Sequence, residues 1–372
     1  SHSLCDVFMF FVKLLYHIRD NFIFTNFVYS ITYNETKKLL ECLKWGVNRM
    51  KFYFAPLEGV TGYIYRNTYN KFFGEEIDKY FTPFIVPTMN YCFTSKELND
   101  IKPEHNKNIK VIPQILTNNA DYFLSTTEKL NEFGYDEINL NLGCPSGTVV
   151  SKFKGSGFLA KREELDMFLE EIFSRANCKI SLKTRIGKDS PNEFYELIKI
   201  FNKYPLEELI IHPRIRQDFY KNTPNMEVFK DAIKLSKNTL VYNGDIFSVE
   251  DFKKFKSECP SIDIVMLGRG LMANPGLIGE IKEKSIVHKD TLRAFHDEIY
   301  ARYKEVLSGD KNALYKMKEF WFYMIHSFED SEKYAKRIRK SKSAAEYEGI
   351  IVSLFNELDI AGDNERGFSL IK

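Results

Sequence analysis

The 372 residues contain only six cysteines, with no Cys-x-x-Cys and no Cys/His cluster at zinc spacing. Cys5, Cys42, Cys92, Cys144, Cys178 and Cys259 are scattered along the chain. That argues against a disulfide framework and against any metal site, and it favours a reducing, cytoplasmic setting. An excess of one charge is also missing, since 53 Lys+Arg against 51 Asp+Glu leave a formal net charge of +2. No global field argues for nucleic acid, so a basic surface has to be local. Long apolar runs are absent too. Residues 7–16 are apolar but contain Lys13, and His17, Arg19, Asp20 and Asn21 follow. This falls short of the roughly 18 clean residues of a membrane helix, so no membrane partner is expected. No basic start precedes the run and no small-residue cleavage site follows it, which argues against a signal peptide. Glycine does not appear before Gly46, and the first residue is not Met. Met50 stands directly before a strong strand. The expectation is a natural start at Met50, with 1–49 as upstream or loosely attached sequence.

What is present is organised around Glu137-Ile138-Asn139-Leu140-Asn141-Leu142-Gly143-Cys144-Pro145. The alternation of Ile138, Leu140 and Leu142 reads as a buried strand, and the Gly-Cys-Pro that follows ends it in a turn. Gly143 permits backbone angles other residues avoid, and Pro145 blocks continuation. A thiol is thereby presented at a strand tip beside the amides of Asn139 or Asn141. The competing reading is a buried structural cysteine, since free cysteine is commonly a small core residue.

From Met50 the pattern becomes regular. Strands are predicted over 51–56, 79–86, 110–115, 137–141, 180–185, 208–212, 240–244 and 264–268, with Pro83 making the second irregular. Helices are predicted over 61–73, 120–133, 163–176, 191–204 and 226–235, with Ser248 as the cap of another. Eight strands interleaved with helices over 50–284 predict an α/β fold, a (β/α)8 TIM barrel, in preference to a doubly wound sheet. After about residue 285 the strand signals stop. Segments 290–307, 312–328, 331–342 and 343–358 read as helices, a smaller C-terminal helical-bundle domain over 285–372.

Most strands end in a polar or glycine-bearing phrase, and in a barrel all such ends share one rim. Taken singly each is weak: Lys183 could pair with a rim carboxylate, His212 could be a satisfied core histidine, and Asn243-Gly244-Asp245 could be a plain turn. Together, glycine-bearing loops after strands seven and eight, the second carrying Arg269, form the phosphate cradle common in this fold. Arg269 can hold phosphate bidentately. Gln114, Lys183 and His212 would line the space between that phosphate and Cys144, a space suited to an elongated cofactor with a flat polar ring.

These phrases resemble one family, the tRNA-dihydrouridine synthases. The matching segments are Ala55-Pro56-Leu57-Glu58-Gly59-Val60-Thr61, Asn139 to Pro145, Leu182-Lys183-Thr184-Arg185-Ile186-Gly187, Ile211-His212-Pro213-Arg214, Asn243-Gly244-Asp245-Ile246 and Met266-Leu267-Gly268-Arg269-Gly270, in the family's order. The resemblance implies an FMN enzyme that reduces uridine to dihydrouridine in tRNA with NADPH or NADH. It implies that Pro56, Leu57 and Glu58 pack on the flavin and that Gln114 and Lys183 hold its ring. It makes Asn243, Gly244, Asp245, Gly268 and Arg269 the phosphate site, with His212 near the flavin. Asn141 would touch the substrate base and Cys144 would donate the proton. A thiol of ordinary pKa, about 8.5, is still protonated at neutral pH, which suits a general acid.

A target base must be flipped out of a stacked tRNA to reach a barrel mouth. Lys333, Lys336, Arg337, Arg339, Lys340 and Lys342 form the densest basic run and are the expected phosphate contacts, a solvated helix face being the alternative. Lys152, Lys154 and Arg162 are secondary candidates. Gly147 departs from the family, where lysine is common shortly after the Cys-Pro, and Leu57 stands where Met is common. Two rival functions remain open: an FMN barrel reductase of a small pyrimidine-like molecule, and a catalytically inactive tRNA-binding protein. A monomer is expected.

Overall fold

The computed structural model describes residues 50–89 and 93–362. The extension read over 1–49 lies outside the described residues. The described residues, all from Met50 onward, form one compact unit. Its strands are β1 (Lys51–Phe54), β2 (Lys79–Phe81), β3 (Val111–Ile112), β4 (Gln114–Ile115), β5 (Glu137–Leu142), β6 (Lys179–Gly187), β7 (Leu209–Ile215), β8 (Leu240–Tyr242) and β9 (Ile264–Leu267). The helices of this part are α1 (Tyr63–Phe73), α2 (Ser95–Ile101), α3 (Ala120–Glu132), α4 (Gly147–Val150), α5 (Arg162–Arg175), α6 (Phe194–Phe201), α7 (Met226–Leu235), α8 (Val249–Glu258), α9 (Arg269–Ala273) and α10 (Leu277–Ile281). Four more follow: α11 (Lys289–Val306), α12 (Asp310–Met324), α13 (Glu332–Lys340) and α14 (Ala344–Glu357).

Every paired strand is parallel, in the order β3-β2-β1-β9-β8-β7-β6-β5-β4. The two ends of that order, β3 and β4, are separated in the chain only by Pro113. The sheet therefore closes, and the fold is the (β/α)8 barrel with its third strand interrupted. Proline has no N–H to give the ladder. Its carbonyl still accepts from the Asn139 amide at 2.9 Å, so the break costs one donor and no more. β2 ends at Phe81, short of the predicted 79–86, because Pro83 follows. Ile85 rejoins the sheet through a parallel bridge to Ile115.

Strands of such a barrel are buried on both faces, which is why they read as nearly continuous apolar runs. Tyr53, Ala55, Phe81, Ile112, Ile210, Val241, Ile264 and Met266 form one buried cluster. The intervening Phe54 meets Tyr65 and Tyr69 of α1, ring centres 5.9 and 4.7 Å away. The C-terminal helices dock against α1 as well. Phe295 of α11 lies 5.8 Å from the Tyr65 ring and 5.2 Å from the Phe73 ring. Ser327 reaches back to the carbonyl of Ala273.

At the N-terminal end of the strands the interior is ionic. Lys79 contacts Glu137 at 2.8 Å and Glu208 at 3.0 Å, and Tyr53 donates to Glu208 at 2.5 Å. Burial disfavours the Lys79 ammonium, but the two carboxylates outweigh it and raise its pKa. Burial raises the Glu137 carboxyl. Removing the one cation strands two buried carboxylates, so Lys79→Met should lower stability in urea at pH 7 by about 3–5 kcal/mol. A carboxyl whose folded pKa is raised binds a proton more tightly folded than unfolded. The loss should therefore be smaller at pH 5 than at pH 7, and an equal loss at both would refute this account.

Candidate active site

A cavity of about 1810 Å3 opens at the C-terminal ends of the strands. Side-chain alternation and register assemble its wall. Asn141 and Lys183 are paired across β5 and β6, and Arg185 and His212 across β6 and β7. The loops after β1, β8 and β9 add Pro56, Leu57 and Glu58, then Asn243, Gly244 and Asp245, then Gly268 and Arg269. Gln114 enters from β4, and Cys144 follows β5. All barrel residues singled out in the sequence as catalytic, base-contacting or cofactor-binding thus line one cavity.

Beneath the wall runs a chain of polar side chains. Ser181 Oγ donates to Glu137 at 3.3 Å, and Asn139 Nδ2 donates to Ser181 at 3.0 Å. Gln114 Nε2 donates to Asn139 Oδ1, and Asn141 Nδ2 to Gln114 Oε1, both at 2.7 Å. Asn141 Oδ1 then accepts from the amides of Gly143 and Cys144 at 3.0 and 2.9 Å. Asn141 therefore shapes the turn that carries the thiol. A second clamp acts from the far side, where Ser156 gives its amide and hydroxyl to the Cys144 carbonyl at 3.1 and 2.8 Å. Gly155, at φ +55°, makes that approach feasible, since a Cβ there would sit 2.9 Å from the same carbonyl oxygen.

Burial raises the Cys144 thiol above its ordinary value, and Glu58 adds to this. The Ser146 amide, Arg185 and Lys183 pull the other way without cancelling it. The sulfur thus keeps its proton at neutral pH. Lys183 is the opposite case. Burial, aided by Arg185, lowers its ammonium to about 7. It has no hydrogen-bond or ion-pair partner among the described residues.

The arginines are held differently. Arg185 spends its donors on the carbonyls of Gly143, Ile215 and Phe219. Arg214 grips Asp245 through two nitrogens at 3.0 and 2.5 Å, and Arg269 reaches the same carboxylate at 2.5 Å. Arg214 also lies 3.0 Å from His212 Nε2. Guanidinium only donates, so Nε2 is the acceptor and the imidazole carries its proton on Nδ1. Burial and four surrounding cations lower the His212 pKa well below its ordinary value, so it is neutral.

A family model described as dihydrouridine synthase matches residues 53–357. The chain belongs to the dihydrouridine synthase family. These are flavin-dependent oxidoreductases. A Staphylococcus aureus (strain Mu50) protein named "Probable tRNA-dihydrouridine synthase" is 25% identical over 322 residues, 83% of this chain and 94% of that one. Similar relatives are the tRNA-dihydrouridine(16) synthases of Pseudomonas syringae pv. tomato, 27% identical over 62% of this chain and 74% of its own, and of Vibrio parahaemolyticus, 24% identical over 80% and 94%.

In this member of the family several of the predicted residues have further partners or packing constraints of their own. Glu58 lies on the rim, its carboxylate 2.7 Å from Lys96 of α2. Asp245 faces two guanidiniums, so its carboxylate organises Arg214 and Arg269. Gly244 is demanded by packing, because a Cβ there would lie 2.0 Å from the Tyr242 hydroxyl oxygen. Lys333, Lys336, Arg337, Arg339, Lys340 and Lys342 are exposed on and after α13, outside the cavity, while Tyr334 and Ile338 bury the helix's other face. Arg337 stacks 5.1 Å over Tyr334.

The sequence reading assigned no role to Arg185, Arg214, Tyr220, Phe322 and Tyr323, all of which line the cavity. The two arginines stand two residues beyond Lys183 and His212, and period-two alternation puts them on the same face. The aromatics gave no local signal. Because His212 is buried, neutral and surrounded by cations, its 15N resonances should show one fixed tautomer protonated at Nδ1, with no titration between pH 8 and 5. A titration midpoint near 6.5 would contradict this.

Proposed function

We propose that this chain reduces uridine in tRNA to 5,6-dihydrouridine, with FMN in the cavity and NADPH or NADH as reductant. The observation that carries the proposal is that a protonated, clamped thiol shares one cavity with Gln114, Lys183 and His212 and with the Arg214–Asp245–Arg269 cluster. The residues fit FMN. Lys183, its ammonium lowered to about 7, has no counter-charge among the described residues, two arginines share one carboxylate, and the histidine beside them is neutral. Together they leave positive charge for a phosphate and for an electron-rich ring. When bound, FMN supplies the hydride that saturates C6 of the base.

The remaining chemistry belongs to the chain. Carbon C5 needs a proton as the C5–C6 double bond is lost, and Cys144 Sγ holds one. Asn141, its orientation fixed by Gln114 and the turn amides, stands beside the thiol as the base contact. Lys183 offers a donor to the flavin ring, which becomes charge-assisted when negative charge on the ring holds its proton. In this reading 50–284 carries the chemistry and 285–372 holds the RNA, with the exposed cations of α13 on its phosphates. The target uridine is flipped into the mouth.

Cys144→Ser should retain flavin and still be reduced by NADPH, yet form dihydrouridine at least 100-fold more slowly, in line with the usual contribution of general acid catalysis. A normal rate on tRNA would remove the assignment. Supplying bulk tRNA or free pyrimidines as acceptor separates this proposal from a small-molecule reductase, and absence of turnover with both would favour an inactive tRNA-binding protein. Charge reversal at Lys336 and Arg337 should weaken tRNA binding and flatten its dependence on log salt by about 0.9 per lost phosphate contact. An unchanged slope would separate α13 from the RNA.

A further inference from the structure

Helix α12 buries Ala313, Leu314, Met317, Phe320, Trp321 and Met324 and shows solvent a ridge of another kind. Tyr315, Lys318 and Phe322 recur at three- and four-residue spacing, so they share one face. Tyr315 is 55% exposed and Phe322 54% exposed. A single exposed aromatic would need no explanation. These two are in register, and their line runs into the cavity, whose mouth Phe322 and Tyr323 help to form.

Cations flank the same ridge. Lys318 donates to the Ser341 carbonyl at 2.5 Å and lies 5.9 Å from the Tyr315 ring. That bond fixes the C-terminal end of α13 beside α12, one helical turn from Phe322. Lys340 and Lys342 flank Ser341; neither ammonium pairs with a carboxylate among the described residues, although the Lys342 amide donates to Glu346 at 2.8 Å. Glu319, the acid within the ridge, is neutralised by Lys316 at 2.7 Å. The surface therefore combines exposed rings with unneutralised cations and leads to the site of reaction.

We propose that this ridge is a stacking track for unpaired nucleotides next to the target uridine. Phe322 takes the adjoining base, Tyr315 a base about 10 Å further out along the helix, and Lys340 the intervening phosphate. The inference rests on the tRNA reading above and adds to it the unpaired form of the RNA and the residues that grip it. Flipping one base unstacks its neighbour, and an exposed ring beside the mouth replaces that lost contact.

The two kinds of contact differ in salt dependence, which gives the test. Binding of tRNA to the flavin-loaded enzyme should be measured against salt for Phe322→Ala, Phe322→Trp, Tyr315→Ala and Lys340→Ala, with flavin content and melting temperature recorded for each. Phe322→Ala should weaken binding roughly tenfold at unchanged salt slope, Tyr315→Ala less, and Phe322→Trp should restore it. Lys340→Ala should lower the slope by about 1. Parental binding by Phe322→Ala alongside a reduced slope for Lys340→Ala would overturn the track and leave the tRNA reading standing. Equal losses for Phe322→Ala and Phe322→Trp with lowered melting temperatures would make Phe322 a packing residue and also overturn the track. Failure of the parent enzyme to bind tRNA would overturn the underlying reading.

Discussion

The position of the Cys144 sulfur depends on a carboxylate at the far end of the barrel. Glu137 can only accept hydrogen bonds, so Ser181 must point its proton down to it. That leaves Ser181 oxygen free for Asn139 Nδ2, which turns Asn139 Oδ1 toward Gln114, which in turn presents Oε1 to Asn141. Each amide has one orientation left once its lower neighbour is fixed. Asn141 ends with its oxygen upward, where it meets the amides of the Cys144 turn. A reversed amide anywhere would set two acceptors or two donors face to face in a buried strand. Each unmade buried bond costs about 1–3 kcal/mol, so the chain is correct throughout or not at all. The ionic floor belongs to the same constraint, since Lys79 allows Glu137 to remain a carboxylate in so buried a place.

How far this was legible in the sequence follows from the range of each interaction. Polar and glycine-bearing phrases at the strand ends, with Asn141 and Cys144 after the fourth predicted strand, marked one rim. The register then delivers them together because parallel strands align their C-terminal ends at one rim. The interruption at Pro113 escaped because a lone proline in an apolar run does not say whether it ends the strand or merely removes a donor. Asp245 is another case. Its motif suggests a phosphate loop, but its carboxylate is spoken for by Arg214, 31 residues earlier, and by Arg269, 24 residues later. Gly155 and Ser156 were missed for the same reason. Their partner is a carbonyl eleven or twelve residues away, across a loop with no periodicity of its own. Phe322 and Tyr323 sit within the run Phe320 to Ile325, where every residue is apolar or aromatic, and only docking of the helical segment on the barrel distinguishes them.

The charge arrangement in the cavity bears on why a thiol would suit the role of acid proposed for Cys144. Arg185 is satisfied by three carbonyls, which quench its hydrogen-bonding but not its charge. Among the described residues Arg214 and Arg269 both bind the Asp245 carboxylate, and Lys183 pairs with none. The balance is positive, as the anionic cofactor and polyanionic substrate of the proposed function would both require. Such a field opposes any acid that must stay protonated beside it. A carboxylic acid starts near pKa 4 and would be ionised here at neutral pH, with no proton to give. A thiol starts near 8.5, and burial raises Cys144 further even against Arg185 and Lys183. The neutral histidine follows from the same field, which has already emptied one of its nitrogens. In the proposed reading, the cavity can be cationic enough to hold its ligands only because the thiol assigned as proton donor is one of the few groups whose pKa lies beyond the reach of that charge.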